Sequence, residues 1–325
     1  MEGALVGVDV GGTKVAAAVV DGVEIVASVQ RPTELAGAAE LLDAIAEQAR
    51  EAARRAGVTI GAVGVGVPSQ VDAATGTALA SVNVPFEGVP VRAELGMRLG
   101  VPIFVDNDAN CAALAESRLA GPEPVADLTM LTLGTGVGGG VIAGGRIFRG
   151  ATGLASELGH MVVDGARAPA EQGDAFPRPG SLEWHCSGRG LERAASEAAA
   201  GAAGGELARV LAERGRVSGR DAVAAARAGD AAALAVLARY ARWLGIGIAT
   251  VVNMLEPSRV AIGGGLSEAA DLFLDAAVAE AALWALPALW ERTEVALARG
   301  GPEAGAIGAA LLAAHELPRN RDTAG

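Results

Sequence analysis

Asp9, Gly11, Gly12, Thr13 and Lys14 lie in one short stretch, VGVDVGGTKVAAAVV, which runs from Val6 to Val20. A carboxylate stands before a pair of glycines, and a hydroxyl and an ammonium follow it. Two glycines let the backbone come close to a bulky anion and turn its N–H groups towards it. With Thr13 and Lys14 at the lip, the stretch has the parts of a polyphosphate cradle. The apolar runs on either side read as strands, so the cradle is the turn of a hairpin. It is not a Walker loop, which needs GxxxxGK[ST] opening into a helix. An ordinary hairpin whose turn carries a lysine reads the same way. Lys14 is the one lysine of the chain, which is suggestive inside a glycine turn, although a genome poor in lysine codons would also leave one.

The other polar residues at predicted strand ends are Asn107, Asp108, Glu157, His160 and Glu183. Asn107 and Asp108 close a strand and open a helix. Either could be a helix cap, or the pair could present a carboxylate and an amide to a ligand, as a base that takes a hydroxyl proton must be presented. Asp106 points the same way as Asp108 but deeper, and is the weaker candidate. Glu157 and His160 are three apart, so one helical turn would put both on one face towards a small polar ligand. Ser69 to Asp72 and Asn83 to Phe86 read as loops, the first at the carboxyl end of a strand, where open α/β sheets place ligands. Gly263 and Gly264 stand at a strand-to-helix junction, which suits either a nucleotide's base and ribose or a tight turn.

The elements that must position these residues repeat. MLTLGTGVGGGVIAGGRIF, Met130 to Phe148, lies over GVDVGGTKVAAAVVDGVEI, Gly7 to Ile25, at a constant offset. Gly11 meets Gly134, Gly22 meets Gly145, and Asp9 meets Thr132. A repeated unit of strand, glycine turn, strand and second turn points to a duplicated architecture, with two hairpins able to grip one nucleotide from both sides. Around the first copy the pattern predicts a third strand at Glu24–Val29, a helix at Glu34–Ala56 capped by Thr33, and a strand at Ala62–Val67. A helix at Val91–Leu99, a strand at Ile103–Val105 and a helix at Ala109–Leu119 follow. This is one α/β domain over residues 1–120. Gly121-Pro122-Glu123-Pro124 reads as a linker to a larger α/β domain over 121–302. In it Arg167–Gly180 is an exposed loop and Ala231–Leu255 a core helix, apolar nearly all round. A last helix at about 303–317 is expected to pack back on the first domain, with a frayed tail at 318–325.

At 325 residues, half of them hydrophobic and 20% charged, the chain suits two globular domains. A net charge of −12 argues against nucleic acid or an anionic membrane as partner. Charged residues interrupt every apolar run that could span a membrane, and no leader is evident at the N-terminus, so a cytoplasmic protein is expected. Cys111 and Cys186 are the only cysteines, too few for a disulfide framework or a cysteine zinc site.

VDVGGTKVAAAVVDG, GVGVPSQVD, VDNDANCAALAE, LTLGTGVGGGVIAGGRIFRG, SELGHMVVDG and GSLEWHCSGRG occur in an order and spacing that resembles the ROK family, from about Val6 to about Gly308. The resemblance implies a two-domain actin-like (ribonuclease H-like) sugar-kinase fold, with duplicated βββαβα cores and a central cleft for ATP and sugar. By motif, Asp108 looks like the catalytic base, and Asn107, Glu157, His160 and Glu183, with Ser69 and Asn83 nearby, look like the sugar site. Asp9, Gly11, Gly12, Thr13, Lys14, Gly134, Thr135, Gly136, Gly263 and Gly264 look like the ATP site, with Mg²⁺ accompanying the nucleotide and Asp9 placed to hold it through water. Closure of the cleft over the sugar would limit wasteful ATP hydrolysis.

Two departures from the family pattern matter. Family members carry CxCGxxGCxE after the Gly-His element, with a structural zinc on its cysteines and that histidine. Here those cysteine positions hold Asp174, Phe176 and Ser181, so no structural zinc is expected. His160, His185, Cys186 and Asp174 are the only substitutes at hand, and their spacing matches no common zinc pattern. Family glucokinases also carry Pro-Gly where this chain has Pro68-Ser69. The expected activity is phosphorylation of a hexose, glucose first, by a homodimer or homotetramer. Mannose, fructose, N-acetylmannosamine or N-acetylglucosamine as acceptor, polyphosphate as donor, and a non-catalytic sugar-responsive regulator remain the alternatives. Family repressors begin with a helix-turn-helix, whereas this sequence begins at the first strand, and the acidic balance also weighs against DNA binding.

Overall fold

The computed structural model describes residues 3–81, 83–166, 176–202 and 204–322. In chain order the elements are β1 (Ala4–Val10), β2 (Lys14–Asp21), β3 (Glu24–Pro32), α1 (Ala38–Ala56), β4 (Ile60–Val67), β5 (Ser69–Asp72), β6 (Thr77–Ser81), α2 (Val91–Leu99), β7 (Ile103–Asn107) and α3 (Asp108–Leu119). Then come β8 (Leu128–Leu133), β9 (Val137–Ala143), β10 (Arg146–Ile147), α4 (Leu182–Cys186), α5 (Gly188–Gly201), α6 (Glu206–Arg214), α7 (Gly219–Arg227) and α8 (Ala231–Leu255). β11 (Arg259–Gly263), α9 (Leu274–Trp284), α10 (Pro287–Trp290), β12 (Glu294–Leu297) and α11 (Ala304–Asp322) complete the chain.

The repeat seen in the sequence is a repeat of topology. One sheet runs β3-β2-β1-β4-β7 and the other β10-β9-β8-β11-β12, so each has the order third, second, first, fourth, fifth. In the first, β1 to β3 form an antiparallel meander, and β4 and β7 add in parallel. Gly22 and Gly145, matched by the sequence offset, close the second turns of the two copies with φ of 61° and 75°, left-handed values that favour glycine.

The chain divides into two compact units. The first is Met1–Met130 with Gly140–Ser156 and Ala298–Gly325, and the second is Leu131–Gly139 with Glu157–Leu297. In the first unit the sheet has two unlike faces, because side chains alternate along a strand. Val6, Val8 and Val10 of β1 and Val63, Val65 and Val67 of β4 are buried with Leu41, Ile45 and Ala49 of α1. The opposite face of the same strands carries Gly7 and Gly64. A Cβ on Gly7 would overlap the carbonyl oxygen of Ala306, and one on Gly64 that of Ala309. Helix α11 therefore lies directly on the strand backbones. Gly308 of α11 is pressed in the same way against the carbonyl of Cys111 in α3.

Four expectations are corrected. Helix α1 starts at Ala38 after an extended Gly37, with no side-chain cap, because Thr33 bonds elsewhere, as shown below. Ser69–Asp72 is strand β5, paired with β6, not a loop. After Gly264 the chain makes a run of 3-10 helix over Gly265–Leu272, and a regular helix begins only at Leu274. Helix α11 continues past Pro318 to Asp322, where a frayed tail is expected. Most of the expected loop over Arg167–Gly180 lies outside the described residues. Helix α8 is long and apolar enough to cross a membrane, since Arg239 and Arg242 do not outweigh its apolar residues, but 61% of its most apolar window is buried in the protein. It packs on α4, α5, α7 and α9.

Gly308→Ala should destabilise the protein by about 3 kcal/mol or more, because a methyl group has no room and backbone must move. Gly96→Ala is the control. It lies inside α2 with nothing within 4 Å of an added Cβ, and should stabilise by up to about 1 kcal/mol through helix propensity. Urea titration of both variants checks this; a Gly308→Ala protein with wild-type stability would refute the packing.

Candidate active site

In the first unit the polar candidates gather at the carboxyl ends of three neighbouring strands. Asp9 of β1 pairs in register with Gly66 of β4, and Gly66 with Asp106 of β7. Asp9 lies on the α11 face, where a Cβ on Gly305 would come within 2.7 Å of both its carboxylate oxygens. The carboxylate thus rests on the first turn of α11, the positive end of a helix dipole. Burial pushes the Asp9 carboxyl above its ordinary range, with nearby Lys14 pulling the other way. Lys14 and Thr13 are exposed, at the start of β2.

The first glycine turn is pinned from outside its hairpin. Gly11 N–H donates to Lys14 O at 2.8 Å across the turn. Thr33 then donates its hydroxyl to Gly11 O at 2.6 Å and its N–H to Thr13 O at 3.0 Å. This replaces the helix cap expected of Thr33. Asn83 sits over Gly12, its Cβ 3.4 Å from where a Cβ on Gly12 would be.

The three residues Asp106, Asn107 and Asp108 have separate duties. Asp106 is buried and accepts from Arg149 Nε at 2.7 Å, Asn110 Nδ2 at 2.8 Å and the Asn107 N–H at 2.8 Å. Arg149 reaches on to Glu316 of α11 at 3.1 Å. Asn107 is the N-cap of α3, its Oδ1 accepting from the N–H groups of Ala109 and Asn110 at 2.9 and 3.3 Å. Its Nδ2 points to Ser69 O at 3.4 Å. The Ser69 hydroxyl donates to Ser81 Oγ at 2.9 Å, and Ser69 is buried, so it lies beneath Asn107. Asp108 is half-buried at the first position of α3, with Oδ1 accepting the Ala109 N–H at 2.9 Å.

In the second unit the second glycine turn, Gly134–Gly136, is also closed across itself, Gly134 N–H donating to Gly136 O at 2.9 Å. Two outside groups hold it: Glu183 Oε2 accepts the Val137 N–H at 2.8 Å, and the Gly188 N–H donates to Gly134 O at 2.7 Å. Glu157 precedes a turn of 3-10 helix, Leu158–His160. Glu157 and His160 do share a face, with Oε2 and Nε2 4.0 Å apart. Ser156, just before them, has φ of 71°, a left-handed conformation uncommon outside glycine that is found at functional sites. The turn joins α4 through Leu182 N–H to Met161 O at 2.8 Å and a bridge between Val162 and Ser181. Gly264, with φ of 84°, is pressed on the backbone of Leu133, 2.6 Å from its N to an added Cβ, while Gly265 beside it faces open space. Sequence reading gave Thr33 a different partner and missed Arg149 and Glu316, since nothing in their local spacing marks these long-range bonds.

The ROK family matches residues 5–316. The chain belongs to the ROK family. It is 35% identical over 324 residues to the glucokinase of Streptomyces coelicolor, covering 97% of this chain and 99% of that one. Two solved structures are also similar. The ROK hexokinase from Thermus thermophilus shares 35% identity with a TM-score of 0.82, over 97% of this chain and 99% of that one. The ROK family glucokinase from Streptomyces griseus, solved with glucose and AMPPNP, shares 33% with a TM-score of 0.78, over 96% of this chain and all of that one. The two-domain actin-like sugar-kinase fold follows from these likenesses.

Set in the ROK pattern, the altered cysteine positions have other contacts. Phe176 stands edge-on to His160, ring centroids 5.3 Å apart, with Arg178 Cζ 4.9 Å from the Phe176 ring centroid. Cys186 is buried and its thiol donates to Tyr240 O at 3.6 Å. Burial pushes that thiol well above its ordinary value, which disfavours the thiolate a metal needs. Asp174 lies outside the described residues. Among the described residues no three His, Cys, Asp or Glu side chains gather as a metal-binding group.

The raised Asp9 carboxyl gives a signed prediction. A carboxyl whose folded value is raised favours the protonated form, so its ionisation costs stability as pH rises from the ordinary carboxylate range through the raised value. At neutral pH Asp9→Asn should therefore raise Tm, and the gain should vanish below the ordinary carboxylate range. Melting curves across pH check this, and a lower Tm for the variant at pH 7 would refute it.

Proposed function

We propose that this protein transfers the γ-phosphoryl group of ATP to the primary hydroxyl of a hexose, glucose first. It is a hexokinase-type phosphotransferase. The observation that carries the reading is the division of labour at the end of β7. Arg149 claims Asp106, helix capping claims the oxygen of Asn107, and Asp108 stands half-buried at the head of α3. The family match supports the same choice.

In this reading Asp108 accepts the proton of the attacking hydroxyl, a task that needs a carboxylate within hydrogen-bond reach. The Asn107 amide N–H₂, Glu157, His160 and Glu183 take the other hydroxyls and fix the acceptor's orientation. Asn83 and Ser69 support Gly12 and Asn107 respectively. The N–H groups of Gly12, Thr13, Thr135 and Gly136 and the Lys14 ammonium hold the phosphates, the Gly11 and Gly134 N–H groups closing the two turns, with Gly263 and Gly264 near the adenosine. Phosphoryl transfer asks mainly for such positioning and charge stabilisation. Asp9 fits a magnesium ion carried by ATP: it is an oxygen ligand, strained by burial, that gains from a nearby cation. When bound, that ion would neutralise charge on the triphosphate. A cytoplasmic location and self-association are part of the proposal, as are folding and activity without zinc.

A coupled ADP-release assay over a panel of hexoses and N-acetylhexosamines should show the highest kcat/KM with glucose. Asp108→Asn should keep glucose binding within about threefold and lower kcat about a thousandfold. A variant that retained a tenth of kcat would remove Asp108 from the role. Protein purified without a His tag should carry well under one zinc per chain. Chelation followed by Mg²⁺ should leave Tm and activity unchanged; stoichiometric zinc whose loss unfolds the protein would overturn that part.

A further inference from the structure

Glu183 is placed to do more than meet a sugar. Its Oε2 accepts the Val137 N–H at 2.8 Å and lies so close over the turn that a Cβ on Gly136 would come within 2.6 Å of it. Five residues further on, the Gly188 N–H donates to Gly134 O at 2.7 Å. One short segment thus grips both ends of the second glycine turn, by a carboxylate at one end and a backbone amide at the other. Among the described residues no bond is formed to Glu183 Oε1.

The segment is itself held rigidly. Ser181 caps α4, its Oγ accepting the Trp184 N–H at 3.2 Å. Tyr240 donates its hydroxyl to Cys186 O at 2.8 Å, and the Cys186 thiol returns a bond to Tyr240 O. The His185 ring stacks on Trp243 with centroids 4.5 Å apart, and Arg193 lies over Trp184 at 3.7 Å. Leu182 is fully buried and fills the space beside Gly247 of α8. The backbone under Glu183 is therefore fixed, and only the torsions of its own side chain separate the carboxylate from the turn.

We propose that Glu183 is the positioning residue of the second phosphate turn, and that through it hexose and nucleotide binding are coupled. This rests on the hexose-kinase reading. A hexose hydroxyl on Oε1 fixes the carboxylate, which fixes the Val137 N–H and with it the turn that receives phosphate. By linkage the effect runs both ways, so glucose tightens nucleotide binding and nucleotide tightens glucose binding by the same factor.

Two substitutions at position 183 separate this role from contact with sugar. Gln keeps an oxygen for the Val137 N–H, whereas Ala removes it. AMPPNP-Mg²⁺ binding is measured by calorimetry with and without glucose. Without glucose, Glu183→Gln should bind AMPPNP within twofold of wild type, and Glu183→Ala about tenfold more weakly. Glucose should tighten AMPPNP binding to wild type severalfold and leave Glu183→Ala unaffected. Should Glu183→Ala fail to fold, Gly136→Ala gives the reciprocal test, since its methyl group displaces the carboxylate. It should raise the KM for glucose about tenfold, although residue 136 belongs to the phosphate turn. A folded Glu183→Ala protein with wild-type AMPPNP affinity, or a Gly136→Ala protein with an unchanged glucose KM, would overturn the inference alone. A wild-type protein that binds no nucleotide would overturn the kinase reading along with it.

Discussion

Much of the first unit depends on one steric constraint, the direct seating of α11 on the backbones of β1 and β4. Gly7 and Gly64 have no side chain on that face, and an added Cβ would overlap carbonyl oxygens of the helix. A helix normally stands off a sheet by the thickness of its side chains. Here that layer is missing at two points, and small residues of the helix, Ala306, Ala309 and Gly308, do the rest. The close approach has a chemical consequence. It brings the first turn of α11 onto the carboxylate of Asp9, and it carries Glu316 near enough to Arg149 to extend the pair that Arg149 makes with Asp106. The valine face of the same strands carries the ordinary hydrophobic burial. One face of the sheet supplies stability in the usual way, and the other trades apolar area for position.

This trade explains what was legible in the sequence. Strand-turn-strand repeats, the core helix α8 and the Asn107-Asp108 junction show themselves through local period and turn chemistry, and these the structure reproduces. The burial of Asp106 follows from its place two residues before Asp108 in β7. What is missing from the sequence is long-range partnership. Arg149 lies 43 positions from Asp106, and Glu316 another 167 from Arg149. Thr33 reads as a cap because hydroxyls before an acidic helix start usually are caps. It bonds instead to a turn 22 residues earlier, since that turn's carbonyl needs a donor and Gly37 can begin the helix without one. Glu183 reads as a ligand and also serves the turn at Val137, 46 residues away, a pairing that no spacing rule encodes.

The two glycine turns show how a duplicated device can diverge while keeping its geometry. In both, an N–H at the first glycine closes the turn on itself, to the Lys14 carbonyl in one and to the Gly136 carbonyl in the other. In both, the carbonyl of that first glycine is held by a donor from outside the hairpin, Thr33 Oγ1 or Gly188 N. The first copy draws its brace from the end of β3, within the same meander. The second draws its brace from a helix junction more than fifty residues on. The local brace makes the first turn rigid by itself. The remote one makes the second turn depend on the folding of α4 and on the Tyr240–Cys186 bonds beneath it.

Electrostatics then limits what can enter. The buried Cys111 thiol is pushed well above its ordinary value, by burial first and then by Asp106, Asp9 and Asp108. Asp106, Asp9 and Asp108 thus lie near enough to that thiol to add to the effect of burial, with Arg149 opposing them. Arg149 compensates Asp106, and Lys14 offsets only part of the cost of ionised Asp9. The whole chain carries a net charge of −12. A bare triphosphate approaching these carboxylates meets like charge in a region where water screens poorly. In the proposed kinase reading, the hairpin N–H groups would favour phosphate while the carboxylates behind them oppose it unless a cation arrives too. A nucleotide carrying its own divalent ion would then turn Asp9 from a repulsive group into an attractive one.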